Sequence, residues 1–116
     1  MAYQFKEYKL QRTGEPPVMF AGRLVSSGSS RDHEDNFNPN AWHVVKIFET
    51  KSGKWIGYVW FHSGKNAVAD EYTVSVHDSK AFVLNGLAVY GHRDSKSFQI
   101  ALGQALDHET FIEHVD

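Results

Sequence analysis

The run WHVVKIFETKSGKWIGYVWFHS, Trp42 to Ser63, constrains the fold more than any other part of the chain: it reads as two strands and a turn, apolar on both faces. Thr50-Lys51-Ser52-Gly53 suits a type I turn closed by a Gly bulge, which sets Thr50 opposite Lys54. The pairing then runs Phe48 with Ile56, Lys46 with Tyr58, Val44 with Trp60 and Trp42 with His62. Side chains alternate along a strand, so these residues share one face. The opposite face receives His43, Val45, Ile47, Trp55, Val59 and Phe61, a more aliphatic and β-branched set that is expected to be core. The first face, with two tryptophans, a tyrosine, a phenylalanine and Lys46, needs its own explanation.

Around this hairpin the remaining segments read as further strands and a helix. Ala2 to Arg12 has a period-2 pattern that changes phase once, as a bulged strand or two short strands would. Thr13-Gly14-Glu15-Pro16-Pro17 forms a turn, since proline fixes its own φ and donates nothing to a ladder. Val18 to Ser26 follows as a strand. Glu71 to His77 alternates with Tyr72, Val74 and Val76 inward and Thr73, Ser75 and His77 outward. In AFVLNGLAVY, Asn85-Gly86 lies between apolar tetrads, the signal for a type I′ hairpin. A buried helix is the competing reading, and Gly at its centre would cost about 1 kcal/mol against Ala.

Asp94 or Ser95 suits an N-cap, and Phe98, Ala101, Leu102, Ala105 and Leu106 then fall on one helical stripe. The helix ends near Asp107 or runs on, with Phe111, Ile112 and Val115 packing on the same core. The expected architecture is α+β: one domain over residues 1–116, an antiparallel sheet of about six strands, and a C-terminal helix packed on one face. The other face is free to meet water or a partner.

Charge and motif content narrow the chemistry. A formal net charge of -2 gives no strong field of either sign, which disfavours a nucleic-acid groove. The absence of cysteine removes disulfides, thiolate nucleophiles and Cys-based zinc sites. No segment reaches membrane-spanning length and the first residues lack a signal-type apolar run, so a cytoplasmic protein with no membrane contact is expected. His33, His43, His62, His77, His92, His108 and His114 show no metal-ligand spacing, and neither metal nor cofactor is expected. His77-Asp78-Ser79 holds the residue types of a hydrolytic triad, but neighbours on a strand point to opposite sides.

The segment from Ser26 to Asn40, SSGSSRDHEDNFNPN, is almost wholly polar and too long for an ordinary connection. Its Asp32, Glu34, Asn36 and Asn38 alternate as calcium ligands would, yet Phe37 stands where such a loop needs Gly and His43 where it needs Glu. His33, Glu34 and Asp35 are its candidates for binding or proton transfer. The leading expectation is a non-enzymatic interaction protein that engages a protein partner, or a second copy as a homodimer, through Trp42, Lys46, Phe48, Tyr58, Trp60 and His62 together with that loop. The alternatives are a small-molecule site or minor hydrolase or isomerase with His and carboxylate groups at the rim, and a single-stranded nucleic-acid platform.

Overall fold

The central hairpin forms in the register expected from its turn. In the structure, a computed structural model describing residues 5–31, 33, 41–64, 70–88, 90, 95–112 and 115, strands β3 (Trp42–Thr50) and β4 (Trp55–His62) pair antiparallel. Trp42 lies opposite His62, Val44 opposite Trp60, Lys46 opposite Tyr58 and Phe48 opposite Ile56. Gly53 takes φ 90°, which only glycine adopts without strain, and the Thr50 N–H donates to the Lys54 carbonyl at 2.8 Å.

Strands β1 (Lys6–Arg12) and β2 (Glu15–Ser29) precede this pair and β5 (Glu71–His77) follows it. The order is β1-β2-β3-β4-β5, an antiparallel sheet of five strands rather than about six. The difference lies at the expected Asn85-Gly86 hairpin, which folds instead as helix α1 (Lys80–Ala88). Val83 and Leu87, one turn apart, are buried on the sheet, and their burial offsets the modest helix cost of Gly86. Gly86 is also where the helix comes closest to β5: a Cβ there would lie 2.6 Å from His77 Nε2. On the strand side Gly57 does the same, facing Val83 and Leu87.

Helix α2 (Lys96–Leu106) starts as expected, with the Ser95 hydroxyl accepting from the Phe98 N–H at 3.0 Å. It packs Phe98, Ala101 and Ala105 over β2 and β3. Phe111, in a 3₁₀ turn spanning Glu109–Phe111, joins that core, whereas Ile112 and Val115 stay exposed. Strand β2 runs further than its composition suggests, since Ser27, Gly28 and Ser29 pair with Lys46, Val45 and Val44. Gly28 makes this possible because the α2 backbone crosses directly over it, with Ala105 N 2.8 Å from where a Cβ would stand. The polar run is therefore partly strand, with Gly28 under α2 and Ser27 exposed on the other face.

Both faces of the sheet bury apolar groups. On one, Val45, Ile47 and Val59 meet Val83, Leu87, Phe98, Ala101 and Ala105. On the other, Leu10, Phe48 and Ile56 form a second core with Tyr8, Phe20, Tyr58 and Val74. That second core exists because the sheet curls. The β1–β2 hairpin extends past the end of β3, whose last partner on β2 is Gly22, and its turn reaches β5. There the Thr13 N–H donates to the Tyr72 carbonyl at 2.9 Å, and the Tyr72 N–H donates to Thr13 Oγ1 at 2.8 Å. Pro16 and Pro17 lie within β2, on the stretch that has no β3 partner, so their missing N–H leaves no bond unmade toward that side.

On β5, Tyr72 and Val74 point into the curl, but Val76 is half exposed. Ser75 and His77, expected to point outward, turn toward α1, where both approach the place a Gly86 side chain would take and Ser75 also approaches that of Gly57.

Candidate functional site

The curl divides the aromatic face into a closed half and an open half. Phe48 belongs to the closed half: it is 2% exposed, with its ring 4.9 Å from Tyr8 and 5.4 Å from Phe20. The expectation that Phe48 lines a binding surface is corrected on this ground, because the β1–β2 hairpin covers it. Toward the other end of the same face, where the hairpin touches the sheet only at its turn on Tyr72 and beside Tyr58, the rings remain partly open to solvent.

Strand alternation aims Trp42 of β3, Trp60 and Tyr58 of β4 and Tyr72 of β5 to this end. Their rings form a continuous path. Trp42 meets Trp60 edge-on at 6.5 Å, Trp60 stacks on Tyr72 at 6.2 Å and 11°, and Tyr72 stacks on Tyr58 at 6.3 Å and 20°. The His62 ring lies 4.1 Å from Trp42, and the Arg31 guanidinium sits 4.7 Å from the Trp42 ring centre, within cation–π range. Lys46 stands opposite Tyr58, partly exposed, on the same face.

Asp70, the residue before β5, ties this end together. Its Oδ2 accepts the Trp60 indole N–H at 2.8 Å and its Oδ1 accepts from His62 Nδ1 at 2.7 Å. Burial by itself would raise the Asp70 pKa, but the bonds from Trp60 and His62 and the charge of His62 hold the carboxyl below its usual value. Tyr58 is pushed up to about 12, first by burial and then by Tyr72 and Asp70. The phenol thus stays neutral and the carboxylate charged across the physiological range.

The other face of the sheet carries a second polar group, closed off from solvent. His43 Nδ1 lies 3.0 Å from Ser97 Oγ, which is 2.7 Å from Ser30 Oγ. The His43 N–H donates to Ser30 Oγ at 2.9 Å, and Phe61, Phe98 and Tyr90 surround the imidazole. With Ser30 at 0% and His43 at 1% exposure, this network joins β2, β3 and α2 rather than meeting a ligand.

Of the residues singled out from sequence, Trp42, Lys46, Tyr58, Trp60 and His62 share one region. His33 does not join them: it lines a shallow hollow against Gln99, Gly103 and Gln104 of α2, across the sheet from Trp60. Glu34 and Asp35 lie outside the described residues. Asp70, Tyr72 and Arg31 are the additions that sequence reasoning missed. The alternation in Glu71–His77 carried a signal for Tyr72, because a strand placed beside β4 sets it against Trp60.

Among the described residues no group of three or more His, Asp or Glu side chains could hold a metal ion, and no helix is long and apolar enough to cross a membrane. The chain matches no family model, no curated protein and no solved structure.

Proposed function

We propose that the protein is a small non-enzymatic binding module that engages a protein partner through the open aromatic end of its curled sheet. The observation that carries this reading is the ring path Trp42–Trp60–Tyr72–Tyr58, partly exposed and fixed in place by Asp70. Rigid aromatic rings with polar tips lose little conformational freedom on binding and supply most of the energy at protein interfaces. Arg31 and Lys46 beside the rings add charged contacts that select the partner.

The test is capture from cell lysate with the wild-type chain, followed by titration of the purified captured protein. Binding should protect the tryptophans from acrylamide quenching. Trp60→Ala, with its strand amides still protected, should weaken binding by about thirtyfold, the scale of an interface hot spot of about 2 kcal/mol. Unchanged affinity in that variant would reject the aromatic end as the interface.

A second reading draws on the Asp70–His62 contact, which orients an imidazole by its Nδ1 as proton-transfer sites do. A small molecule held on the rings would then meet His62 at the rim. It ranks below the first because it rests on the Asp70–His62 contact, whereas the first draws on the whole ring path. A single-stranded nucleic acid ranks lower still, as the net charge of -2 offers no positive groove to follow.

A further inference from the structure

We propose that the free edge of β5 pairs with the β5 edge of a second copy of this chain, joining two sheets into one across a two-fold axis. β5 ends the sheet, bonded to β4 on one side. On the other side both backbone groups of Tyr72 turn outward to Thr13. Alternation along an antiparallel strand then turns the N–H and C=O of Val74 and Val76 outward as well. Among the described residues neither is bonded there. Thr13 thus occupies the first rung, with β1 close against β5, and the rungs at Val74 and Val76 carry no backbone bond on that side among the described residues.

Sheet edges are usually blunted by charge, proline or a bulge. The opposite edge, β1, follows this rule: KEYKLQR carries Lys6, Lys9 and Arg12 and a register shift near Leu10. From Thr73 to His77, β5 has no lysine and no proline, and its pairing with β4 is unbroken. A cavity of about 480 Å³ runs from this edge, at Thr13, Thr73 and Ser75, in under α1 to Gly57, Gly86 and Leu87.

The edge is complementary to itself. A two-fold axis through Ser75 sets Val74 against the partner's Val76, each exchanging an N–H and a C=O, and Thr73 against the partner's His77. The ladder stops there, because Asp78 and Ser79 bend into α1 and leave the Thr13 rung in place. Antiparallel pairing also brings unlike ends together twice. Among the described residues, Glu15 and Glu71 outnumber Arg12 at one end, and Lys54 and Lys80 outnumber Asp78 at the other.

Two exposed apolar side chains flank the edge and would be covered. Val76 is 51% exposed on the concave side. Phe82, 58% exposed, lies one turn before Gly86 on the α1 stripe that approaches β5. Five residues of strand and two flanking side chains are little against the roughly 1,200 Å² that stable complexes bury, so the dimer should dissociate on dilution.

The experiment is sedimentation equilibrium over a dilution series of the wild-type chain, Val76→Pro and Phe82→Glu, with amide exchange of the wild type at both ends of the series. Proline at 76 removes an outward donor and no bond to β4. A monomer–dimer equilibrium is expected, with the Val74 and Val76 amides protected only at high concentration. Both variants should weaken it at least tenfold, and Phe82→Glu reads the interface even where the proline variant folds poorly. A wild-type chain that stays monomeric throughout overturns the proposal. So does a dimer that keeps its affinity in Phe82→Glu with the Val74 and Val76 amides still exchanging freely. Trp60→Ala should leave this equilibrium unchanged, which separates the edge from the aromatic end.

Discussion

Asp70 holds two neighbours with one carboxylate, and its charge state follows from them. The indole N–H of Trp60 and the imidazole Nδ1 of His62 each bond a separate oxygen, which outweighs the burial that opposes ionisation. A carboxyl whose folded pKa lies below its unfolded one adds stability that is present above the unfolded value and lost as the pH falls through the folded one. Asp70→Asn should therefore lower stability at neutral pH and shrink the difference between neutral pH and about pH 3. Urea midpoints of both proteins at the two pH values measure it, and an undiminished difference would mean that the three groups do not act together. The pair of tryptophans was legible in sequence because both belong to one hairpin of known register. Asp70 was not, since it stands beyond the next loop and its role depends on where β5 pairs.

Glycines at contacts between elements decide how closely helix and strand approach. Gly28 lies beneath α2, with the Ala101 carbonyl and Ala105 N where a side chain would go. Both obstacles are backbone, which cannot rotate away. Gly28→Ala should cost about 1–3 kcal/mol through overpacking, read as a lower thermal midpoint with the secondary structure kept. A neutral effect would place α2 further from the sheet. These same contacts explain where sequence reasoning failed. Asn85-Gly86 carries the signature of a tight hairpin turn, but Gly86 does not take a positive φ; it is small because His77 lies beneath it. Likewise SSGS in β2 reads as loop, yet its glycine is what a strand needs under a crossing helix. A glycine's reason is tertiary in both places, and local pattern offers only its conformational one. The α2 helix, by contrast, was legible throughout, because its cap and its apolar stripe are local.

At the scale of the molecule, the curl makes one sheet serve two cores. The helices close one face, and the β1–β2 hairpin closes half of the other by reaching Tyr72 through Thr13. Which half of the aromatic face is core could not be read from the hairpin itself, because Tyr8 and Phe20 of the distant β1–β2 hairpin cover Phe48, and nothing near Phe48 marks it. Tyr58 reports on the curled side and Tyr90 on the helix side, where it packs 4.8 Å from Phe98. Both phenols are pushed up to about 12, chiefly by burial, with Tyr72 and Asp70 acting on Tyr58 and Glu71 on Tyr90. A phenol raised in the folded state contributes stability that is intact below its unfolded pKa of about 10 and lost as the pH rises toward its folded value. The protein should accordingly lose stability between about pH 10 and 12 through both layers, and the double variant Tyr58→Phe, Tyr90→Phe should lose less over that window. Phenolate absorbance followed alongside near-UV circular dichroism gives the readout. Two tyrosines should ionise late and together with unfolding in the wild type. Should they titrate early, with the fold intact, then Tyr58 and Tyr90 are open to water and the sheet is flatter than the curl requires.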